Sequence, residues 1–190
     1  MKVVAFNGSP RENGNTSILI NYALKELEEQ GIETELINIT ERPVRGCMGC
    51  RLCATNKDGK CVIKNDLINE YIEKMIDADG IILGSPTYFA NVTAEMKALI
   101  DRAGCVVRAN NHLLKYKVGA AVVAQRRAGA THVFSSINYF FLLSQMIVPG
   151  STYWNNGFGG AEGDVENDKE GIQVAKTLGQ NMAWLLKKIK

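Results

Sequence analysis

Two segments constrain this chain more than any others. Gly80-Ile81-Ile82-Leu83-Gly84 and Val118–Ala124 are unbroken apolar runs of strand length. A strand that is apolar on both faces must be covered on both faces, as in the middle of a parallel sheet. Three further strands are expected around them. Lys2–Asn7 supplies the first, Thr34–Ile39 the second with alternating side chains, and Met146–Tyr153 the fifth, made irregular by Pro149 and Gly150. Helical patterns lie between. Thr16–Gln30 places Leu19, Ala23 and Leu27 on one face and stops at Gly31. Asp66–Asp77 carries a wide stripe including Leu67, Tyr71 and Met75, and Thr93–Val107 one with Met96, Leu99 and Ala103. Gly129–Gln145 reads as helical despite its aromatics, and Asp168–Lys187 as an amphipathic helix with a basic end that suits the helix dipole.

Strand and helix alternate five times, so the expected fold class is α/β, an open, doubly wound parallel sheet with helices on both faces. Ligands of such sheets bind beyond the C-terminal strand ends. The loops after strands one, three and four should therefore build the site. A length of 190 residues suits a single domain spanning 1–190. The net charge of +2 carries no footprint of nucleic-acid or membrane-surface binding. The first strand begins almost at Met1, with no signal-peptide pattern, and no apolar run approaches a membrane span. A cytoplasmic protein is expected, whose cysteines stay reduced.

The loop after the first strand reads Asn7-Gly8-Ser9-Pro10-Arg11-Glu12-Asn13-Gly14-Asn15-Thr16-Ser17 and runs into a helix start. Free N–H groups at a helix N-terminus suit an anion. Ser9, Thr16 and Ser17 add hydroxyls, and Arg11 can pair with a phosphate. A Walker loop is excluded because Gly14-Asn15-Thr16 lacks the lysine, and Gly8 and Gly14 do not fit a dinucleotide fingerprint. The alternative is an ordinary turn and helix cap, which would not need so many donors. After the third strand comes Ser85-Pro86-Thr87-Tyr88-Phe89-Ala90-Asn91-Val92-Thr93, whose Pro, aromatics and Asn could line a planar ring or simply pack inward. After the fourth, Gln125-Arg126-Arg127 could meet a phosphate or a ring carbonyl, or present solvated charge.

The one long excursion, residues 40–65 after strand two, holds four of the five cysteines: Cys47, Cys50, Cys53 and Cys61. A loop of this length inside a compact domain is usually functional. Thiolates three residues apart in a bent loop can converge, with Gly46 and Gly49 easing the turns. Four thiolates suit iron–sulfur or zinc, and Cys-x-x-Cys spacing also serves redox thiols. Arg45, Arg51, Lys57 and Lys60 would offset thiolate charge. Cys105 reads as a small helix core residue, and His112 and His132, single and far apart, show no metal spacing. Glu162 to Asp168 fits the N-terminal end of the last helix, and Trp154 and Phe158 could cap a flavin or a subunit interface or pack within the core or a loop.

Taken together these segments resemble the NADPH-dependent FMN reductase branch of the flavodoxin-like superfamily. Gly8-Ser9-Pro10-Arg11 with Gly14-Asn15-Thr16 looks like its phosphate loop, and Ser85-Pro86-Thr87-Tyr88 with Met96–Arg102 like its ring-binding turn and following helix. The cysteine spacing is similar to that of the iron–sulfur flavoprotein subfamily. The resemblance implies a flavodoxin-like sheet of order 2-1-3-4-5 and an FMN-dependent oxidoreductase. In it Ser9, Arg11, Asn13, Asn15, Thr16 and Ser17 hold the FMN phosphate, and Pro86, Thr87, Tyr88, Phe89 and Asn91 the ring, with Gln125 and Arg126 nearby. It implies a 4Fe–4S cluster on Cys47, Cys50, Cys53 and Cys61, no catalytic acid or base, and a ferredoxin-like or NAD(P)H electron donor. A homodimer or homotetramer is implied as well. Two rivals stand beside this reading: a cluster-free NAD(P)H-dependent flavin or quinone reductase, and a non-enzymatic, flavodoxin-like electron carrier.

Overall fold

A computed structural model describes all of residues 1–190. The elements run β1 (Lys2–Asn7), α1 (Asn15–Glu29), β2 (Glu33–Asn38), α2 (Leu52–Asn56), α3 (Ile68–Asp77), β3 (Gly80–Pro86), α4 (Ala94–Ala109), β4 (Val118–Gln125), α5 (Ala130–Leu143), β5 (Asn156–Phe158) and α6 (Lys169–Ile189). A single 3-10 turn, Asp164–Asn167, precedes α6. The five strands form one parallel sheet in the order β2-β1-β3-β4-β5, the flavodoxin-like order that was expected. No helix is long and apolar enough to cross a membrane.

The continuous apolar runs have the predicted consequence. Every residue of β4 is buried, and β3 is buried up to Ser85. Successive side chains alternate between two separate cores. Val4, Phe6, Ile81, Leu83, Ala121 and Val123 point to the layer of α3, α4 and α5. Val3, Ala5, Ile82, Ala120 and Val122 point to the layer of α1 and α6. Parallel strands put all five C-terminal ends on one rim, and the loops after β1, β3, β4 and β5 meet there.

The fifth strand is not where the sequence placed it. In Met146–Tyr153 only Ile147 pairs with the sheet, as an isolated bridge to Val118 at the start of β4. Pro149 lacks an N–H for the ladder, and the chain leaves the sheet. It returns as Asn156–Phe158, pairing with Val123–Gln125 at the opposite end of β4. The edge strand is thus split, and its upper half delivers Gly159 and Gly160 to the rim.

The cysteine excursion also departs from a plain loop. It contains the one-turn helix α2, flanked by Arg51 and Lys57 in left-handed conformation, φ +58° and +52°. Gly49 adopts φ +66°, as its place between Cys47 and Cys50 suggested, but Gly46 does not; Gly59, φ +71°, makes the second tight turn. Non-glycine residues in this region cost roughly 1–2 kcal/mol each, so other contacts must hold the loop in shape.

Candidate functional site: a phosphate cleft and a cysteine cavity

The loop after β1 is built from its own backbone outward. Buried Asn7 accepts the Ser9 N–H at 3.0 Å and donates to Asn38 Oδ1 at 2.9 Å. Ser9 Oγ accepts the Arg11 N–H at 3.1 Å, and Thr40 donates to the Ser9 carbonyl at 3.0 Å. The chain then enters α1 through Gly14, whose lack of a side chain leaves the helix uncapped. The N–H groups of Asn15, Thr16 and Ser17 have no acceptor, and the Thr16 hydroxyl, in a residue only 1% exposed, has no partner. Unpaired buried donors at a helix N-terminus are costly unless an anion meets them.

They open into a cleft of about 130 Å³ lined by Ser9, Arg11, Asn15, Thr16, Pro86, Thr87, Tyr88, Ala124, Arg126, Gly159 and Gly160. Thr87 Oγ1 is a second buried hydroxyl without a partner. The cleft has room for a phosphate-sized group, with Arg11 and Arg126 to supply positive charge. A tricyclic ring would have to lie outside it, toward the exposed turn that follows β3. There Tyr88 and Asn91 exchange both backbone hydrogen bonds at 2.9 Å around Phe89 and Ala90, both with positive φ (+47° and +58°). Such strain in non-glycine residues concentrates at ligand sites. Phe89 projects wholly into solvent, and Tyr88 is half exposed.

Five residues expected at the ligand do not line this cleft. Asn13 is exposed and does not line the cleft. Ser17 spends its hydroxyl on the Gly14 carbonyl at 2.8 Å and contributes only its amide. Asn91 accepts its own neighbour's N–H, from Val92, at 2.9 Å, and Phe89 points away. Gln125 accepts the Ala130 N–H at 3.1 Å and so starts α5. The side chain of Asn15 is also engaged within the protein, donating to the Ala161 carbonyl and accepting the Val165 N–H. Its role is to clamp the loop of Gly159 and Gly160, which the sequence reading missed. A Cβ on Gly159 would stand 2.6 Å from Asn15 Nδ2, so only glycine lets the two loops close. The adjacent glycines were the available signal, hidden by the misplaced fifth strand.

The four loop cysteines do come together. Cys47, Cys50, Cys53 and Cys61 line one cavity of about 450 Å³ with Met48, Val62, Ile63 and Val106. Three arginines, Arg51, Arg102 and Arg108, line it as well. The Gly49 N–H donates to Cys47 Sγ at 3.4 Å. Burial pushes the Cys53 thiol up, with Cys61 and Cys47 adding to the effect. Two residues set aside from sequence also belong here. Cys105 is not core: it faces the cavity, where burial and neighbouring Cys47 raise its pKa to about 11. His112 reaches the cavity from a left-handed backbone, and its buried Nδ1 has no partner. His132, by contrast, is exposed outside both sites. Trp154 and Phe158 are about half exposed, and the Trp154 ring packs against Phe134 and Tyr153.

Polar side chains from α3 and α4 anchor this loop. Asn69 accepts the Cys61 N–H at 2.8 Å and donates to the Cys61 and Ile63 carbonyls. Asn110 accepts the Gly59 N–H at 3.1 Å. Arg102, wholly buried, pairs with Asp66 and donates to the carbonyls of Arg45 and Ile63, both at 3.1 Å. The same helix α4 is capped by Thr93, whose hydroxyl donates to the Gly8 carbonyl at 2.9 Å. One rigid helix therefore ties the phosphate loop to the cysteine cavity, with the two anchor points about 14 Å apart along its axis.

No three His, Cys, Asp or Glu side chains are close enough to share a single ion. Tetrahedral zinc would need its sulfurs about 2.3 Å from one point. A four-iron cluster binds each thiolate to a different iron and needs them spread around a cavity, with positive charge nearby. The donor set and the arginines fit the cluster better than the single ion.

Residues 1–160 match the family model described as NADPH-dependent FMN reductase. An iron-sulfur flavoprotein of Methanocaldococcus jannaschii is 42% identical over the full length of both chains. Another, of Methanosarcina thermophila, is 36% identical over 100% of this chain and 97% of its own. Among solved structures, a WrbA-like flavodoxin of Agrobacterium tumefaciens superposes with TM-score 0.70 at 14% identity, covering 100% of this chain and 98% of that one, which speaks to the fold alone. The fold, the phosphate cleft and the match over 160 residues have one conclusion: the chain belongs to the NADPH-dependent FMN reductase family.

Proposed function

We propose that this FMN-dependent oxidoreductase transfers electrons between bound FMN and a 4Fe–4S cluster held by Cys47, Cys50, Cys53 and Cys61. Bound FMN would supply reversible hydride and single-electron chemistry, and the chain supplies orientation, charge and access. The first-turn amides of α1 and the hydroxyls of Ser9 and Thr16 take the phosphate, with Arg11 and Arg126 balancing its charge. Pro86, Thr87 and Tyr88 orient the ring at the mouth of the cleft. No acid or base is required of the protein.

The observation that carries the cluster assignment is the cavity itself: all four motif cysteines line it, together with three arginines. The names of the relatives support the same reading. Phe89 and Tyr88, exposed beside the ring position, favour a homodimer or homotetramer in which a second copy covers the flavin. Electrons would arrive from a ferredoxin-like protein or from NAD(P)H. Anaerobic purification followed by an absorption spectrum and iron and acid-labile sulfide analysis tests the proposal. About four irons and four sulfides per chain alongside flavin are expected. Flavin without sulfide would leave the cluster-free NAD(P)H-dependent reductase. No flavin after reconstitution with FMN would refute both.

A further inference from the structure

Arg102 has more hydrogen-bonding capacity than its structural partners use. Its side chain is fully buried, as is that of Asp66, and it lines the cysteine cavity. A guanidinium carries five N–H bonds. Two from Nη1 go to Asp66 and the Arg45 carbonyl, and one from Nη2 goes to the Ile63 carbonyl. Nε is buried and has no acceptor at all. Burying a charged donor without a partner is costly, and the protein does so within a cavity of thiols. Cys61 lines the same cavity, and Arg102 holds the Ile63 carbonyl two residues beyond it. The carbonyls that Arg102 does bind lie just before Cys47 and just after Cys61. The residue therefore fixes both stems of the loop and keeps an unspent N–H beside the cysteine cavity.

Resting on the functional reading above, we infer that Arg102 is a positioning residue for the cluster, donating its free N–H to the Cys61 thiolate and raising the cluster's reduction potential. A hydrogen bond and a positive charge at a ligand sulfur favour the more negative, reduced state. Removing them shifts the balance toward the oxidised state.

The test uses the reconstituted holoprotein and two variants. Arg102→Lys keeps the charge and a partner for Asp66 but loses the Nε–H. The double variant Arg102→Gln with Asp66→Asn replaces the buried ion pair by a neutral one, and serves if the lysine variant does not fold. The midpoint potential is read by following the electron paramagnetic resonance of the reduced cluster during redox titration. The expected result is unchanged FMN binding and at least a tenfold fall in the reduced-to-oxidised ratio at fixed potential, a drop of about 59 mV for one electron. Loss of iron and sulfide from a variant that still binds FMN also supports the assignment. Full cluster content at the wild-type potential would overturn it. A wild-type chain that binds FMN but holds no acid-labile sulfide overturns the functional reading first, and the inference falls with it.

Discussion

Substituting Thr16 by Val should weaken FMN binding and stabilise the empty protein, two effects of opposite sign from one atom. The Thr16 hydroxyl is buried and without a partner, and its methyl group packs toward Gly84 of β3. Valine matches the shape and has a similar helix propensity, so only the polar atom changes. In the empty protein, removing an unsatisfied buried hydroxyl recovers part of a desolvation cost of about 1–3 kcal/mol. An increase in Tm of about 2–4 °C per kcal/mol is expected for a chain of this size. In the bound protein the hydroxyl would donate to a charged phosphate, a bond of about 1.5–3 kcal/mol. Its loss corresponds to roughly 10- to 150-fold in Kd. Quenching of FMN fluorescence gives the affinity, and thermal unfolding with and without FMN gives both stabilities. Unchanged affinity, or an empty variant less stable than wild type, would show that the hydroxyl does not serve the phosphate.

Replacing Gly159 by Ala should weaken FMN binding about tenfold or more and lower stability by about 1–3 kcal/mol, because the new methyl collides with Asn15 and unseats the loop at the cleft; calorimetry and flavin titration check it. Asp66→Ala should destabilise the chain by about 3–5 kcal/mol in urea unfolding, since it leaves the buried Arg102 charge without its carboxylate. Asp66 also sets a pH dependence. Burial raises its pKa, but Arg102 and the N–H groups of Arg45 and Ile68 outweigh this and hold it below its ordinary 3.8. The stability it contributes is complete above that value and lost as pH falls through the lower folded one, so acid unfolding of Asp66→Asn should lack this component. Cys61→Ser should lose cluster iron and sulfide while keeping FMN, whereas Cys105→Ala, outside the motif, should keep both, as measured by metal analysis. Ala90→Gly should stabilise the turn beyond β3 by about 0.5–1 kcal/mol, visible as a higher Tm, because the left-handed backbone there is strained for alanine.

Much of the molecule was legible without coordinates. Apolar runs such as Ile81–Leu83 and Val118–Ala124 specify buried parallel strands because side-chain period and burial are local properties of the chain. With the alternating helices, they imply a two-sided sheet and a site at the strand ends. The polar loop Gly8–Ser17 announced an anion site for the same reason: donors adjacent in sequence are adjacent in space at a helix N-terminus. The cysteine spacing likewise placed four thiols in one loop.

What the sequence could not supply were relations between distant segments. The edge strand carries too little apolar signal to reveal its interruption, so Asn156–Phe158 and the Gly159–Gly160 wall of the cleft emerge only from pairing with β4. Gln125, Asn15 and Asn91 looked like ligand contacts, but the carbonyl oxygen of each side chain accepts an N–H within the protein, as only three-dimensional hydrogen-bond accounting reveals. Arg102, 41 residues beyond Cys61, and Cys105 and His112 reach the cysteine cavity because α4 packs beside the loop. The local pattern determined which chemistries this chain carries. Tertiary structure decided which residues are free to perform them, since burial and partner choice depend on every segment at once.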